Sequence, residues 1–345
     1  MTAWPTQKLA TLCREITVGY VSKMSDQYVP SGIPFLRSQD ISPGHIRSGD
    51  VKFISQAFHE RLKKSKLSPG DVVIVRTGYP GTAAVVPPSL PDANCADLVI
   101  ARPGPGLNAR FLTFVLNSPW GKAHVRGRLV GVAQQHFNVK VAQSLEVPVP
   151  PRHSQDRIAS VLGAYDDLIE ANRRRIAVLE EMARRAFEEW FFHFRFPGHE
   201  HIRILETVDG PLPDGWRYAG LHDVAEVAFG FPFRSKRFNA EGVGTRIVRI
   251  RDIPDGRSET WTDEPFDDRY SVNDGDLLIG MDGIFHTAIW SGGAAALNQR
   301  VTRLRPRGGR SVGWLLHAVL PKIEHLEAAI TGTTVAHLSA RDLQL

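Results

Sequence analysis

Apolar positions along this chain follow two different periods. Short runs bounded by turn residues, among them DVVIV after Pro69-Gly70 and DLLIG after Asp274-Gly275, predict strands. Apolar stretches near 110–124 and 312–329 predict helices. After VPVPP (147–151) the period lengthens: Ile158, Leu162, Tyr165, Ile169, Asn172, Ile176, Leu179, Ala183, Ala186 and Trp190 lie alternately four and three apart. That heptad seam predicts a coiled-coil-forming helix, with Ser154 as its N-cap and Pro197-Gly198 as its close. At ~1.5 Å per residue it would run roughly 50 Å. Asn172 is the polar member of the seam, and such a residue sets register at a cost in stability, which implies a particular partner. An amphipathic helix lying on its own domain is the alternative. The stripe is longer and narrower than one small module covers, so a spacer that pairs with a second helix is the preferred reading.

The strand pattern is written twice. GIPFLRSQDI (32–41) faces GTRIVRIRDI (244–253), GDVVIVRTG (70–78) faces GDLLIGMDG (275–283), and CADLVIARPG (95–104) faces NQRVTRLRPR (298–307). The order continues with FLTFVL (111–116) against WLLHAV (314–319), and GVAQQHFNVKVA (131–142) against GTTVAHLSARDL (332–343). These are two copies of one module, each a mixed sheet closed by one or two helices. The expected class is α+β, with two repeated mixed α/β domains (1–150 and 198–345) separated by a coiled-coil helix (151–197). In both copies the Gly-Asp run reads as a turn feeding a buried strand. The loops that follow, Arg76-Thr77-Gly78-Tyr79 and Met281-Asp282-Gly283-Ile284, are where binding can differ between copies. In this alignment Leu345 stands opposite Ser144, so a second long helix is expected either to be missing from the sequence or to come from another chain.

Composition changes this picture only modestly. A length of 345 residues suits two domains at roughly 150 residues each. The net charge of +5 and a pI near 9.3 permit a polyanionic partner without requiring one. Cys13 and Cys95 show neither disulfide-framework nor zinc spacing, which fits a reducing cytoplasm. The N-terminus has no apolar targeting core, and no apolar run approaches the ~18 residues of a membrane span. The expected location is cytoplasmic, with no membrane partner.

A duplicated module whose first copy leads into a Pro-rich strand exit and a long helix resembles the specificity subunit of type I restriction-modification systems, the HsdS family. The most specific stretch is QQHFNVKVAQSLEVPVPPRHSQDRIASVLGAYDDLIEANRRRI, similar to the family's central conserved region, while IPFLRSQDI and the Gly-Asp strands resemble elements of its target-recognition domains. The resemblance implies that each copy reads half of a bipartite double-stranded DNA target and that the helix sets the gap. It also implies docking of methyltransferase (M) subunits and of restriction/translocase (R) subunits, with the seam from Ile158 to Ala183 as subunit interface. The absence of a distal conserved helix is the departure from the family pattern.

The residues themselves show no catalytic motif. PGPG (103–106) and SGG (291–293) lack the strand-to-helix context of a nucleotide loop, there is no P-loop, and no Asn/Asp-Pro-Pro-aromatic motif is visible. The acidic PFDDRYSVNDGD (265–276) reads as turn and edge positions rather than as a metal site. His136 and His337 occupy matching positions without a visible partner for catalysis. No cofactor is expected in this chain; S-adenosylmethionine, ATP and Mg²⁺ are expected on partner subunits.

Reading DNA requires polar side chains on loops that enter a groove. In the first copy the candidates are Arg37, Ser38, Gln39, Arg76, Thr77, Tyr79, Gln134, Gln135 and His136. In the second they are Arg249, Arg251, Asp282, His286 and His337, with Arg234, Lys236 and Arg237 of FPFRSKRF as expected phosphate contacts. Each alone also reads as a solvated residue or a strand-end salt bridge. Arg37 and Arg249 recur at one position, which fits a shared structural pairing with Asp40 or Asp252. Residues that distinguish two targets must differ between copies, as Arg76-Thr77 and Met281-Asp282 do. Three other readings stand beside this one: a specificity subunit or domain of another restriction-modification class, an enzyme with a divergent methyltransferase or nuclease site, and a coiled-coil adaptor whose modules bind protein.

Overall fold

A computed structural model describes residues 4–47, 49–129, 136–329 and 338. The chain divides into two compact units, Met1–Arg174 and Arg175–Leu345. In the first, a four-stranded antiparallel sheet runs in the order Ala83–Val85, Val72–Val75, Leu98–Pro103, Cys13–Val18. A five-stranded sheet runs Tyr28–Val29, Lys52–Ile54, Ile33–Leu36, Ala93–Cys95, Lys66–Leu67, with Ile33–Leu36 and Ala93–Cys95 parallel. The second unit repeats both sheets strand for strand. Its four-stranded sheet is Thr287–Ile289, Leu277–Gly280, Val301–Pro306, Ala225–Phe229. Its five-stranded sheet is Phe238–Asn239, Trp261–Thr262, Thr245–Val248, Ala295–Leu297, Ser271–Val272, and the parallel pair again falls at the third and fourth places.

The Gly-Asp runs explain themselves at atomic level. Gly70 and Gly275 both have φ of 90°, a conformation that costs a residue with a Cβ more than it costs glycine. Asp71 Oδ2 then accepts the Ser68 N–H at 3.0 Å and pairs with Arg102; Asp276 Oδ2 accepts the Asn273 N–H at 2.8 Å and pairs with Arg305. Burial is the main influence on Asp71 and pushes its carboxyl above the usual range, against the pull of the Ser68 N–H and Arg102. The apolar run that follows is buried on both faces because successive side chains alternate. Val72 and Ile74 pack with Phe111, Leu112 and Leu116 of a helix, whereas Val73 and Val75 pack with Leu36, Leu67 and Cys95 toward the other sheet. Leu277 and Ile279 likewise meet Leu315 and Val319, while Leu278 meets Val248 and Leu297.

The helix expected near 110–124 is two helices, Ala109–Asn117 and Pro119–Leu129. Ser118 is extended, its Oγ accepts the Gly121 N–H at 3.0 Å, and Pro119 fits the first helical position, so the chain turns a corner there. A Cβ on Gly121 would lie 2.1 Å from the Val115 carbonyl oxygen, which makes glycine necessary at that corner. The counterpart, Val312–Ala329, continues as one helix through Pro321.

The long helix spans Arg152–Phe187 and is followed by a π-helical turn, Glu188–Phe192. Ser154 is therefore inside the first turn rather than its cap, because the N–H groups of Ser154 and Gln155 both reach the Pro151 carbonyl. The helix also ends before Pro197-Gly198. Its first turns are fastened to the first unit by Gln155, which is 1% exposed: Nε2 donates to the Pro150 and Gly106 carbonyls, and Oε1 accepts the Asn108 N–H. Ala159 and Gly163 complete that buried face. The seam lies on another side. Ile158 is half-buried against the first unit's core, whereas Leu162, Tyr165, Ile169, Asn172, Ile176, Leu179 and Ala183 are exposed.

Candidate nucleic-acid interface

The recurring arginines hold their own loops. Arg37 donates its backbone N–H and Nε–H to Asp40 Oδ2 and an Nη2–H to Asp40 Oδ1, and it also reaches Asp50. Arg249 donates its backbone N–H and Nε–H to Asp252 Oδ2 and an Nη2–H to Thr260 Oγ1. The hydrogen bond to Asp40 raises the Arg37 pKa. In each copy the pair closes a 3₁₀ turn, Ser38–Asp40 or Ile250–Asp252. Gln39 and Arg251 stand exposed on these turns and Ser38 is half-buried.

The two variable loops begin where a central strand ends, and the structure fixes their equivalence. Arg76 O accepts the Phe137 N–H at 3.0 Å, and Met281 O accepts the Leu338 N–H at 2.8 Å. Arg76, whose side chain is 18% exposed, is bound to Asp97 on the neighbouring strand connection. Asp282 pairs with Arg300 at 3.2 Å. Arg76, expected to read a base, is thus largely engaged inside the fold. Thr77 is half-buried, while Tyr79 is 84% exposed and leads the loop. His136 is half-buried, its Nδ1 without a partner among the described residues, and the His286 backbone bonds Ile284 and Gly280 across its own hairpin. Gln134, Gln135 and His337 lie outside the described residues.

The fold also brings up two cations that the sequence reading missed. Lys122 and Arg126 of Pro119–Leu129 line a cleft of about 380 Å³ together with Gly78, Tyr79, Pro80, Thr82 and Leu129. Their spacing of one helical turn was legible, but their nearness to Tyr79 was not. In the second unit the FPFRSKRF loop borders a cleft of about 390 Å³ lined by Lys236, Arg237, Asn239 and Asp263. Arg237 is bonded to Asp263 at 2.7 Å, which raises the arginine pKa and lowers that of the carboxyl. The Arg234 backbone N–H donates to Glu264, and its guanidinium lies 3.6 Å from the same carboxylate. Lys236 is exposed and has no acidic partner among the described residues.

Arginines on the long helix face its own acids: Arg174 with Glu170, and Arg184 and Arg185 with Glu181, whose carboxyl they pull down to about 2. Within PFDDRYSVNDGD, Asp267 caps Asp268–Tyr270 and Asp276 caps its turn. Among the described residues no group of three or more His, Cys, Asp or Glu is placed to hold a metal, and no helix is long and apolar enough to cross a membrane. Cys13 and Cys95 are free thiols, and burial pushes Cys13 up to about 12.

Comparison with known proteins agrees with this architecture. The type I restriction enzyme EcoBI specificity subunit of Escherichia coli is 34% identical over 144 residues, 41% of this chain and 30% of that one. The type I restriction enzyme MjaIX specificity subunit of Methanocaldococcus jannaschii is 24% identical over 154 residues, 45% of this chain and 36% of that one. The matches thus span about a third of the length of these relatives. The crystal structure of the type I restriction-modification S subunit from M. genitalium shares the fold, with a TM-score of 0.51 at 14% identity over 99% of this chain and 83% of that one. A family model described as the type I restriction modification DNA specificity domain matches residues 4–181, just over half of the 345, and this chain belongs to that family.

Proposed function

We propose that this chain reads a bipartite double-stranded DNA target, one half with each unit, and has no catalytic role of its own. One observation carries the reading: two units of identical strand order present different chemistry at equivalent strand-end loops, Arg76-Thr77-Gly78-Tyr79 and Met281-Asp282-Gly283-Ile284. A constant scaffold with altered loops is how one fold addresses two different sequences. The exposed seam, Leu162, Tyr165, Ile169, Ile176 and Leu179, would serve as the docking surface for methyltransferase subunits and, for cleavage, for translocating nuclease subunits. S-adenosylmethionine, ATP and Mg²⁺ would then be bound by those partners.

The test is the genome-wide pattern of modified adenines in a host supplied with the cognate methyltransferase, with and without this chain. A bipartite motif that depends on the chain is the expected result. A palindromic motif would assign recognition to one unit in a symmetric pair, and no motif would overturn the reading. Replacing Leu162 and Ile169 by Glu is expected to abolish co-purification with the methyltransferase.

A further inference from the structure

Lys122 and Arg126 differ from the other cations near the strand ends of the first unit. Arg37, Arg76 and Arg102 each lie against a carboxylate, but among the described residues no acid pairs with Lys122 or Arg126. They sit four apart on one helix face, in a concave site, beside the most exposed aromatic ring of the unit. The site is built rather than incidental. Asn117 accepts the Ala83 N–H at 3.1 Å and donates to the Ala83 carbonyl at 2.8 Å, which clamps the strand after the loop to the helix corner. Gly81, with φ of 86°, lets the loop close onto the helix, since a Cβ there would lie 3.0 Å from the Val125 side chain. The Tyr79 N–H is bonded to Thr77 O at 3.1 Å, so the ring leaves the loop from a fixed turn.

Among its described residues the second unit lacks this chemistry. From Pro321 onward its helix reads PKIEHLEAA, where Glu324 and Glu327 accompany Lys322, and its strand-end loop carries Ile284 in place of Tyr79. Unpaired cations in a cleft bind phosphate oxygens with little demand on geometry, while an exposed phenol beside them can lie against the adjoining sugar or donate to phosphate.

We infer that the cleft between the loop 76–82 and the helix Pro119–Leu129 is a phosphodiester site, in which Lys122 and Arg126 hold the backbone of one DNA strand and Tyr79 packs beside them. This inference rests on the DNA-reading proposal above and adds that the electrostatic grip of this cleft belongs to the first unit alone. Binding there is independent of sequence; discrimination is left to other loop residues.

The experiment measures affinity of the intact chain, together with its methyltransferase partner, for a fluorescent duplex carrying the mapped motif and for an unrelated duplex, across a series of salt concentrations. Lys122→Gln with Arg126→Gln is expected to lower the slope of log affinity against log salt by about 1.8, at ~0.9 for each phosphate left without its cation. Both duplexes should weaken to a similar extent, and the methylated motif should stay the same. Arg126→Lys should keep its share of the slope, and Lys322→Gln in the second unit should leave the slope as it is. An unchanged slope in the double variant, with wild type binding normally and urea unfolding unaltered, overturns the cleft assignment. A motif relaxed in one half-site overturns the backbone role in favour of base reading. Wild type that binds neither duplex overturns the DNA-reading proposal itself, and the cleft with it.

Discussion

Arg76 and Asp97 form an ion pair between the end of one central strand and the approach to the next, and the second unit places Asp282 and Arg300 at the same junction with the charges exchanged. The backbone hydrogen bonds of Arg76 with Phe137 and of Met281 with Leu338 establish the correspondence. What the repeat keeps is an attraction across the junction, without keeping which side carries which sign. Asp97 has φ of 51°, so Asn is the replacement that removes charge while tolerating the backbone. Asp97→Asn is expected to destabilise the first unit by about 1 kcal/mol, because Arg76 is largely buried and its Nε already lacks a partner among the described residues. Hydrogen exchange in Val72–Val75 and Leu98–Pro103 reads this locally. Protection equal to wild type would mean the pair contributes nothing.

Gly70→Ala and Gly275→Ala are expected to cost comparable amounts, about 1 kcal/mol each or somewhat more. Both glycines have φ of 90°, and a Cβ at either would meet nothing within 4 Å. The penalty is thus conformational and should be the same in both copies. Urea unfolding of the two variants checks it; a neutral substitution at either site would show that its turn relaxes freely.

Gln155→Leu removes two donors and one acceptor that serve the Pro150, Gly106 and Asn108 backbone groups. Buried backbone groups left without partners cost ~1–3 kcal/mol each, so the expected destabilisation is about 3 kcal/mol or more. Gln155→Glu should be no better at neutral pH, since it aims a carboxylate at two carbonyl oxygens. The readout is thermal unfolding together with proteolytic sensitivity near Arg152. A variant as resistant as wild type would show that Ala159 and Gly163 suffice as the anchor.

His59 is buried, with Nδ1 3.4 Å from the Asn94 side-chain amide. Burial, then repulsion from Lys66, holds its imidazole below the ordinary range, with Glu60 and Asp92 opposing. The unfolded chain therefore binds the proton more tightly than the fold does. The stability gained from neutral His59 is complete above the unfolded pKa of about 6.5 and is lost as pH falls through that value toward the lower folded pKa. The first unit should grow less stable from about pH 7 to pH 5, and His59→Leu should flatten that dependence. Matching slopes in wild type and variant would rule the histidine out.

Much of the architecture was already legible in the chain. Turn glycines before Asp71 and Asp276, the doubled strand order and the Arg37–Asp40 and Arg249–Asp252 pairs all depend on neighbours a few residues apart, and so does the heptad spacing of the long helix. Its ends were less legible. The seam pattern ran past Phe187, and Ser154 looked like a cap, because capping is decided by where the chain enters the helix rather than by residue type alone.

The amino-acid sequence by itself determined two copies of one mixed module, the exposed apolar stripe between them and the loops at which the copies differ, since backbone period and turn chemistry are local properties. Only the tertiary structure decided which charged residues remain available to a ligand. Arg76 meets Asp97 across 21 positions and Arg303 meets Glu226 across 77, whereas Lys122 and Arg126 come to Tyr79 with no acid beside them among the described residues. Coulomb and hydrogen-bond energies act over a few ångströms of space rather than along the chain, so pairing between distant positions is fixed only when the sheets and helices pack.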